Sequence, residues 1–175
     1  KGKKIALVYH NSAYGKEPIP TLEALSTKYG FKFYKYPVNH PGLEQKSTWL
    51  KIGRQIKPDF TIFWGWGVMT QTAIKEAKAI GYPVSKIIGN WWSASENDTR
   101  PAGTASVGYK AAGFHAIGKN YQLHKDILAK VYGPGNGSGE KSVVGEVLYN
   151  RALVQGVIFT EAIRAAQKKY GNIAI

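Results

Sequence analysis

The chain has 175 residues, a formal net charge of +13 and no cysteine. That length fits one domain able to bury a real core, and the missing cysteine excludes a disulfide framework, a thiolate metal site and a cysteine nucleophile. A hydrophobic fraction of 43% and a mean hydropathy of −0.29 are those of a globular chain, and no apolar run is long enough to cross a bilayer as a helix.

Residues 4–10 (KIALVYH) are a short apolar run rich in Val, Ile and Tyr, and they predict a buried strand. Pro18 and Pro20 open the next segment. Leu22 and Leu25, with Gly30 beyond them, predict a helix over 21–29 with a glycine stop. Residues 31–38 alternate as a second strand with one wetter face, and Pro41-Gly42 marks a turn. Trp49, Ile52 and Ile56 share one helical face over 48–56, which Pro58-Asp59 ends. Residues 60–64 are apolar throughout, a third strand. A helix follows over 70–80, with Ala73, Ile74, Ala77 and Ile80 on its packed side. A fourth strand is expected over 86–89 and a fifth over 105–114.

Strands alternating with helices at this spacing indicate βαβ units. The expected fold is α/β, three layers deep, with a mainly parallel five-stranded sheet covered by helices on both faces. After Phe114 the pattern changes. A helix is expected over 120–132, then a flexible glycine-rich loop over 133–139 (GPGNGSG), then one long helix over 144–170. That helix carries apolar residues on more than one face, among them Val147, Leu148, Val154, Val157, Ile158, Phe159 and Ile163, so it expects neighbours on several sides. The chain starts Lys-Gly-Lys-Lys without an initiator Met or signal peptide, as a processed N-terminus or a piece of a longer protein would.

In an open α/β sheet, ligands bind in the crevice beyond the carboxyl ends of the strands. Tyr14, Trp66 and the pair Trp91–Trp92 fall in the loops that follow expected strands, and catalytic residue types are scarce there. Trp66 lies between Gly65 and Gly67, a loop context that disfavours burial in a core. Adjacent Trp91 and Trp92 cannot point the same way in an extended segment, so one packs inward and the other faces the cleft. Binding without covalent chemistry is therefore the first expectation.

Other signals are weaker. The loop 133–139 is not a P-loop, because Glu140 interrupts the required pattern and no strand precedes it. No dinucleotide fingerprint follows the first strand. His10, His40, His115 and His124 lack metal-ligand spacing, so neither a metal nor a cofactor is expected; His10, ending the first strand, is a candidate to line the crevice. The lysines are scattered singly, which favours a solvated basic surface over a nucleic-acid partner.

Four segments carry a resemblance: 4–15 (KIALVYHNSAYG), 57–67 (KPDFTIFWGWG), 73–81 (AIKEAKAIG) and 87–92 (IIGNWW). Together with the long helix, they resemble the type I periplasmic substrate-binding proteins of ABC transporters, in the branched-chain amino-acid receptor group. The resemblance implies that residues 1–118 form the second of two α/β lobes, and that residues 119–175 are helices that normally pack on the first lobe. It implies ligand contacts from Tyr14, in the Tyr-Gly element after the first strand, and from Trp66. It places Trp91 where the amino-acid receptors hold a glutamate for the ligand ammonium. Without that acid an α-amino acid is a poorer ligand.

The expected function is then the periplasmic solute-binding component of an ABC importer, working with a membrane permease and binding a small aromatic or apolar organic acid. Tyr14, Trp66 and Trp91 would supply stacking area. Asn11, Ser12, Asn90 and Ser93 would supply directional hydrogen bonds, with Arg100 or a residue of the first lobe as the candidate cation. The alternatives are a ligand-sensing regulatory domain on the same fold, binding of branched-chain or other amino acids, and, third, an enzyme on a flavodoxin-like fold. The exposed long helix also predicts self-association of the isolated chain.

Overall fold

The structure, a computed structural model, describes residues 2–172. The chain divides into two compact units, 1–113 and 114–175.

In the first unit, β1 (Lys4–His10) and β3 (Phe60–Trp64) begin and end where their apolar runs do. α1 is a single turn, Ala13–Lys16, and α2 spans Ile19–Tyr29, with Gly30 in the left-handed region as its stop. β2 is Lys32–Val38. α3 is Lys46–Leu50; it then widens into a π turn over Lys51–Ile56, so the predicted 48–56 helix is not α-helical to its end. α4 covers Val68–Ala79, and β4 is Ile87–Gly89.

The fifth strand departs most from expectation. β5 is only Lys110–Ala111. Before it come the short helix α5 (Glu96–Thr99) and a 3-10 stretch over Arg100–Ser106, kinked at Gly103. The apolar character of this segment is used for packing, not pairing: Ala102 is buried in the core cluster beside residues of α4.

The sheet runs β2-β1-β3-β4-β5, with every pair parallel. Its register puts Tyr9 opposite Trp64 and Phe63 opposite Gly89. The loops leaving β1, β3 and β4 therefore emerge side by side.

One face of the sheet presents Val8, Phe63 and Ile87, which cluster with Trp49 and Ile52 and with Met69, Ala73, Ile74 and Ala77 of α4. Fully burying each large apolar side chain contributes about 1.5–3 kcal/mol. A polar clasp sits inside this layer. Gln45 is fully buried; its Nε2 donates to the carbonyls of Gly42 (2.6 Å) and Met69 (2.9 Å), and its Oε1 accepts from Trp49 Nε1 (3.0 Å). On the other face, Glu23 of α2 pairs with Lys35 of β2. The outer part of that face stays open: Phe60 is 47% and Ile88 38% exposed.

In the second unit, α6 (Gln122–Ile127) widens into a π turn over Leu128–Tyr132, and α7 is Val147–Tyr170, shorter at its start than the predicted 144–170. The first turn of α7 is pinned by Asn150. Its Oδ1 accepts from His124 Nε2 at 2.6 Å, and its Nδ2 donates to the carbonyls of Ala116 and Gly118. Farther along, Val154, Val157, Ile158 and Phe159 are exposed, and the first three line an apolar hollow of about 290 Å³.

Candidate ligand-binding site

Three strand ends build the site. After β1 the chain turns at once into α1. Ser12 caps it, its Oγ accepting from Gly15 N at 3.3 Å. The turn is so tight that a Cβ on Gly15 would lie 1.7 Å from the His10 carbonyl oxygen, which is why a glycine follows Tyr14. After β3, the Gly65-Trp66-Gly67 loop leaves Trp66 42% exposed. After β4, Asn90 folds the chain into a 3-10 turn over Trp91–Ser93, its Oδ1 accepting from the backbone N–H groups of Trp92 (3.2 Å) and Ser93 (3.3 Å).

Tyr14, Trp66 and Trp92 together line a hollow of about 290 Å³. Tyr14 meets Trp66 edge-on at 5.4 Å between ring centroids, and Trp64 lies 6.3 Å away on its other flank. None of the three lining side chains is charged. Such a surface suits a flat or apolar solute.

The polar groups form one network. Asn90, 3% exposed, donates through Nδ2 to the Tyr14 hydroxyl oxygen. The Tyr14 hydroxyl thus accepts from within the protein and keeps its own proton to give. Burial, only partly offset by that bond from Asn90, pushes the phenol up to about 12, so it stays a donor at neutral pH. Behind Asn90, Ser93 Oγ donates to the Asn90 carbonyl at 3.1 Å and accepts from Tyr109 at 3.0 Å. Burial holds the Tyr109 phenol well above its usual range. A Cβ on Gly89 would sit 1.9 Å from the Tyr109 hydroxyl, so β4 must end in glycine for this network to close.

His10 is also part of the cluster. Its ring stacks on Trp66 at 4.6 Å and meets His40 edge-on at 5.8 Å. Two buried polar atoms here lack a hydrogen-bond partner, His10 Nε2 and Trp64 Nε1.

The structure brings Tyr14 and Trp66 together as the sequence suggests. For the tryptophan pair it places Trp92, 46% exposed, on the hollow, while Trp91 is half-buried with its ring edge-on to Trp64 at 5.1 Å. Asn90 and Ser93 are buried and act on Tyr14 and the backbone. Asn11 is exposed and donates to Asn39 Oδ1 at 2.9 Å. Ser12 is the α1 cap and lies 2.8 Å from His10 Nδ1. Arg100 donates to Asn97 at 3.3 Å and does not line the hollow. Sequence reasoning missed Tyr109, hidden inside the expected fifth strand, and His40; neither lies in a motif. The sequence points to Trp91 for stacking, whereas the residue on the hollow is Trp92; adjacency says only that the two diverge. Among the described residues no group of three His, Asp or Glu could hold a metal.

The first unit is thus a parallel α/β sheet with an aromatic hollow across neighbouring strand ends. The chain belongs to the periplasmic binding protein family, whose model matches residues 1–136. No curated protein matches the chain.

Among solved structures, it is similar to a protein from the Pseudomonas fluorescens group described as an ABC transporter permease: 40% identity, TM-score 0.90, covering 100% of this chain and 42% of that one. It is also similar to a branched-chain amino-acid ABC transporter protein from Thermus thermophilus with bound valine: 21% identity, TM-score 0.79, covering 99% and 45%. A third is an ABC transporter solute-binding protein from R. palustris in complex with benzoate: 18% identity, TM-score 0.63, covering 84% and 39%. At these identities the last two likenesses speak to the fold alone. The chain spans less than half the length of each of these proteins.

Proposed function

We propose that this chain is the second lobe of a periplasmic solute-binding component of an ABC importer. In this reading residues 1–118 hold one wall of the ligand cleft, and residues 119–175 are helices that pack on a first lobe. The protein delivers its solute to a membrane permease, binds no nucleic acid and carries out no covalent chemistry. A hinge motion closes the two lobes over the solute.

The solute is a small aromatic or apolar organic acid. The observation that carries this reading is the uncharged aromatic hollow of Tyr14, Trp66 and Trp92, with the Tyr14 hydroxyl kept as a donor by Asn90. Asn11, Ser12, Asn90 and Ser93 act behind these groups, orienting the two loops. Trp91 supports Trp64.

Amino-acid binding is a second reading, and one observation favours it. Asp98 lies against the backbone N–H of Gly67, beside Trp66, and burial holds its carboxyl above the usual range. A ligand ammonium arriving there would relieve that half-buried negative charge.

Calorimetry on the intact two-lobed protein tests both readings, with benzoate, benzamide and leucine as probes. Benzoate should bind and leucine should not. Trp66→Ala or Trp92→Ala should each cost about 1–3 kcal/mol of benzoate affinity, and Trp91→Ala less. Leucine binding that is lost in Asp98→Asn, with benzoate inert, would replace the first reading by the second.

A further inference from the structure

We propose that His10 is a positioning residue that makes the hollow favour a carboxylate solute over its uncharged counterpart as the pH falls, by standing as a cation against Trp66. The inference rests on the reading of the hollow as a solute site.

The His10 imidazole stands behind the lining of the hollow, backing Trp66 on one side and the cap of α1 on the other. Its ring stacks on Trp66 at 4.6 Å, tilted by 37°. Its Nδ1 lies 2.8 Å from Ser12 Oγ, and that oxygen caps α1, the turn that holds Tyr14. His10 is only 8% exposed, yet part of its cover is a thin layer of rings: Trp66 and His40 are both exposed themselves.

The chemistry follows from the protonation state. In the neutral ring the bond between Nδ1 and Ser12 Oγ runs in the direction the tautomer sets, and Nε2 has no partner in either tautomer. On protonation Nδ1 becomes a donor to Ser12, and an imidazolium lies on the indole face. Burial and the nearby His40 oppose that proton in the free protein. A carboxylate in the hollow offsets the opposition, so proton uptake accompanies binding of an anion and not of a neutral solute. By linkage, lowering the pH then strengthens binding of the anion.

The titratable and charged groups on the elements packed around His10 are Lys32, Tyr34, Lys35 and Tyr36 of β2, His40 in the turn after it, and Tyr14, Lys16 and Glu17 on and beside α1. Among the described residues no carboxylate is paired with His10, so no resident anion already holds the proton.

The test is calorimetry on the intact protein at pH 7.5 and 5.5, with benzoate and benzamide; benzoate stays ionised at both. Benzoate should bind at least about threefold more tightly at pH 5.5, the scale of a solvent-screened pairing of opposite charges, while benzamide affinity stays level. In His10→Gln the benzoate step should vanish. In His40→Gln it should remain, with its midpoint moved to higher pH, because the group opposing the proton is gone. Equal benzoate affinity at both pH values, or a step that survives His10→Gln, overturns the inference and leaves the solute reading standing. Should His10→Gln fail to fold, an unmoved midpoint in His40→Gln overturns it. If neither probe binds at either pH, the solute reading and this inference fall together.

Discussion

At the scale of single residues, Asn90 does the most. It turns the chain after β4, holds Trp92 and Ser93 by their backbones, and fixes which end of the Tyr14 hydroxyl faces the hollow. Two substitutions separate these roles. Asn90→Ala removes the side-chain acceptor of the Trp92 N–H and the donor to the Tyr14 oxygen, while the Ser93 N–H keeps its bond to the backbone carbonyl of residue 90, and it should cost about 1–3 kcal/mol in urea unfolding. Asn90→Asp keeps acceptors for both N–H groups but can only accept from Tyr14. The phenol must then turn its proton inward and show lone pairs, beside a negative charge, to the solute. Stability should stay within about 1 kcal/mol of the parent while benzoate affinity falls tenfold or more. His10 supplies a pH prediction. Burial first, then His40, hold its imidazole below the ordinary 6.5, so the unfolded chain takes up a proton before the folded one does. Stability is therefore present above that value and lost as the pH falls through the folded-state range. Urea midpoints measured from pH 7 to 5 should decline, and the decline should be shallower in His10→Gln.

At the scale of elements, β1 and β3 were fully legible, because a buried parallel strand is a short apolar run with sharp ends. The α4 helix was legible through Ala73, Ile74 and Ala77, all buried as expected. β5 was not, because Ala105 and Tyr109, inside the expected 105–114 strand, pack against the core cluster, and Tyr109 also closes the Asn90 network. Local pattern reports burial, and cannot say whether an extended segment or a coiled one supplies it. The π turns after α3 and α6 leave no mark in a helical pattern either. For the site, the aromatics were legible as loop residues after strands. Which of Trp91 and Trp92 faces outward was decided by the turn that Asn90 makes, which spacing alone does not encode. Gln45 was invisible as a structural residue, though it is fully buried. Gln45→Ala would strand the Trp49 N–H and the Met69 carbonyl inside the core, at a cost of about 2–4 kcal/mol by denaturant unfolding. Gln45→Glu should be at least as harmful, since its second oxygen would face those carbonyls.

At the scale of the whole molecule, each unit leaves apolar surface open. The first does so at Phe60 and Ile88, and the second along α7, where Ile158 and Phe159 are 64% and 69% exposed. Surface of this kind recruits partners when it is contiguous beyond a few hundred Å². Light scattering on the isolated chain at tens of micromolar should report species above the monomer mass, despite the +13 charge. Ile158→Lys with Phe159→Glu should restore a monomer. A monomeric parent would mean that α7 satisfies itself.

The distribution of indole rings has an optical consequence. Trp49 is 0% exposed in the core, whereas Trp66 and Trp92 stand 42% and 46% exposed beside the hollow. Intrinsic fluorescence should therefore contain an inner emitter that iodide cannot reach and an outer pair that it can, with half-buried Trp64 and Trp91 between these extremes. A bound solute should protect the outer pair from quenching and leave the inner signal as it was. Global unfolding should instead turn the inner emitter red, so one spectrum can tell occupancy from loss of the fold without any attached dye.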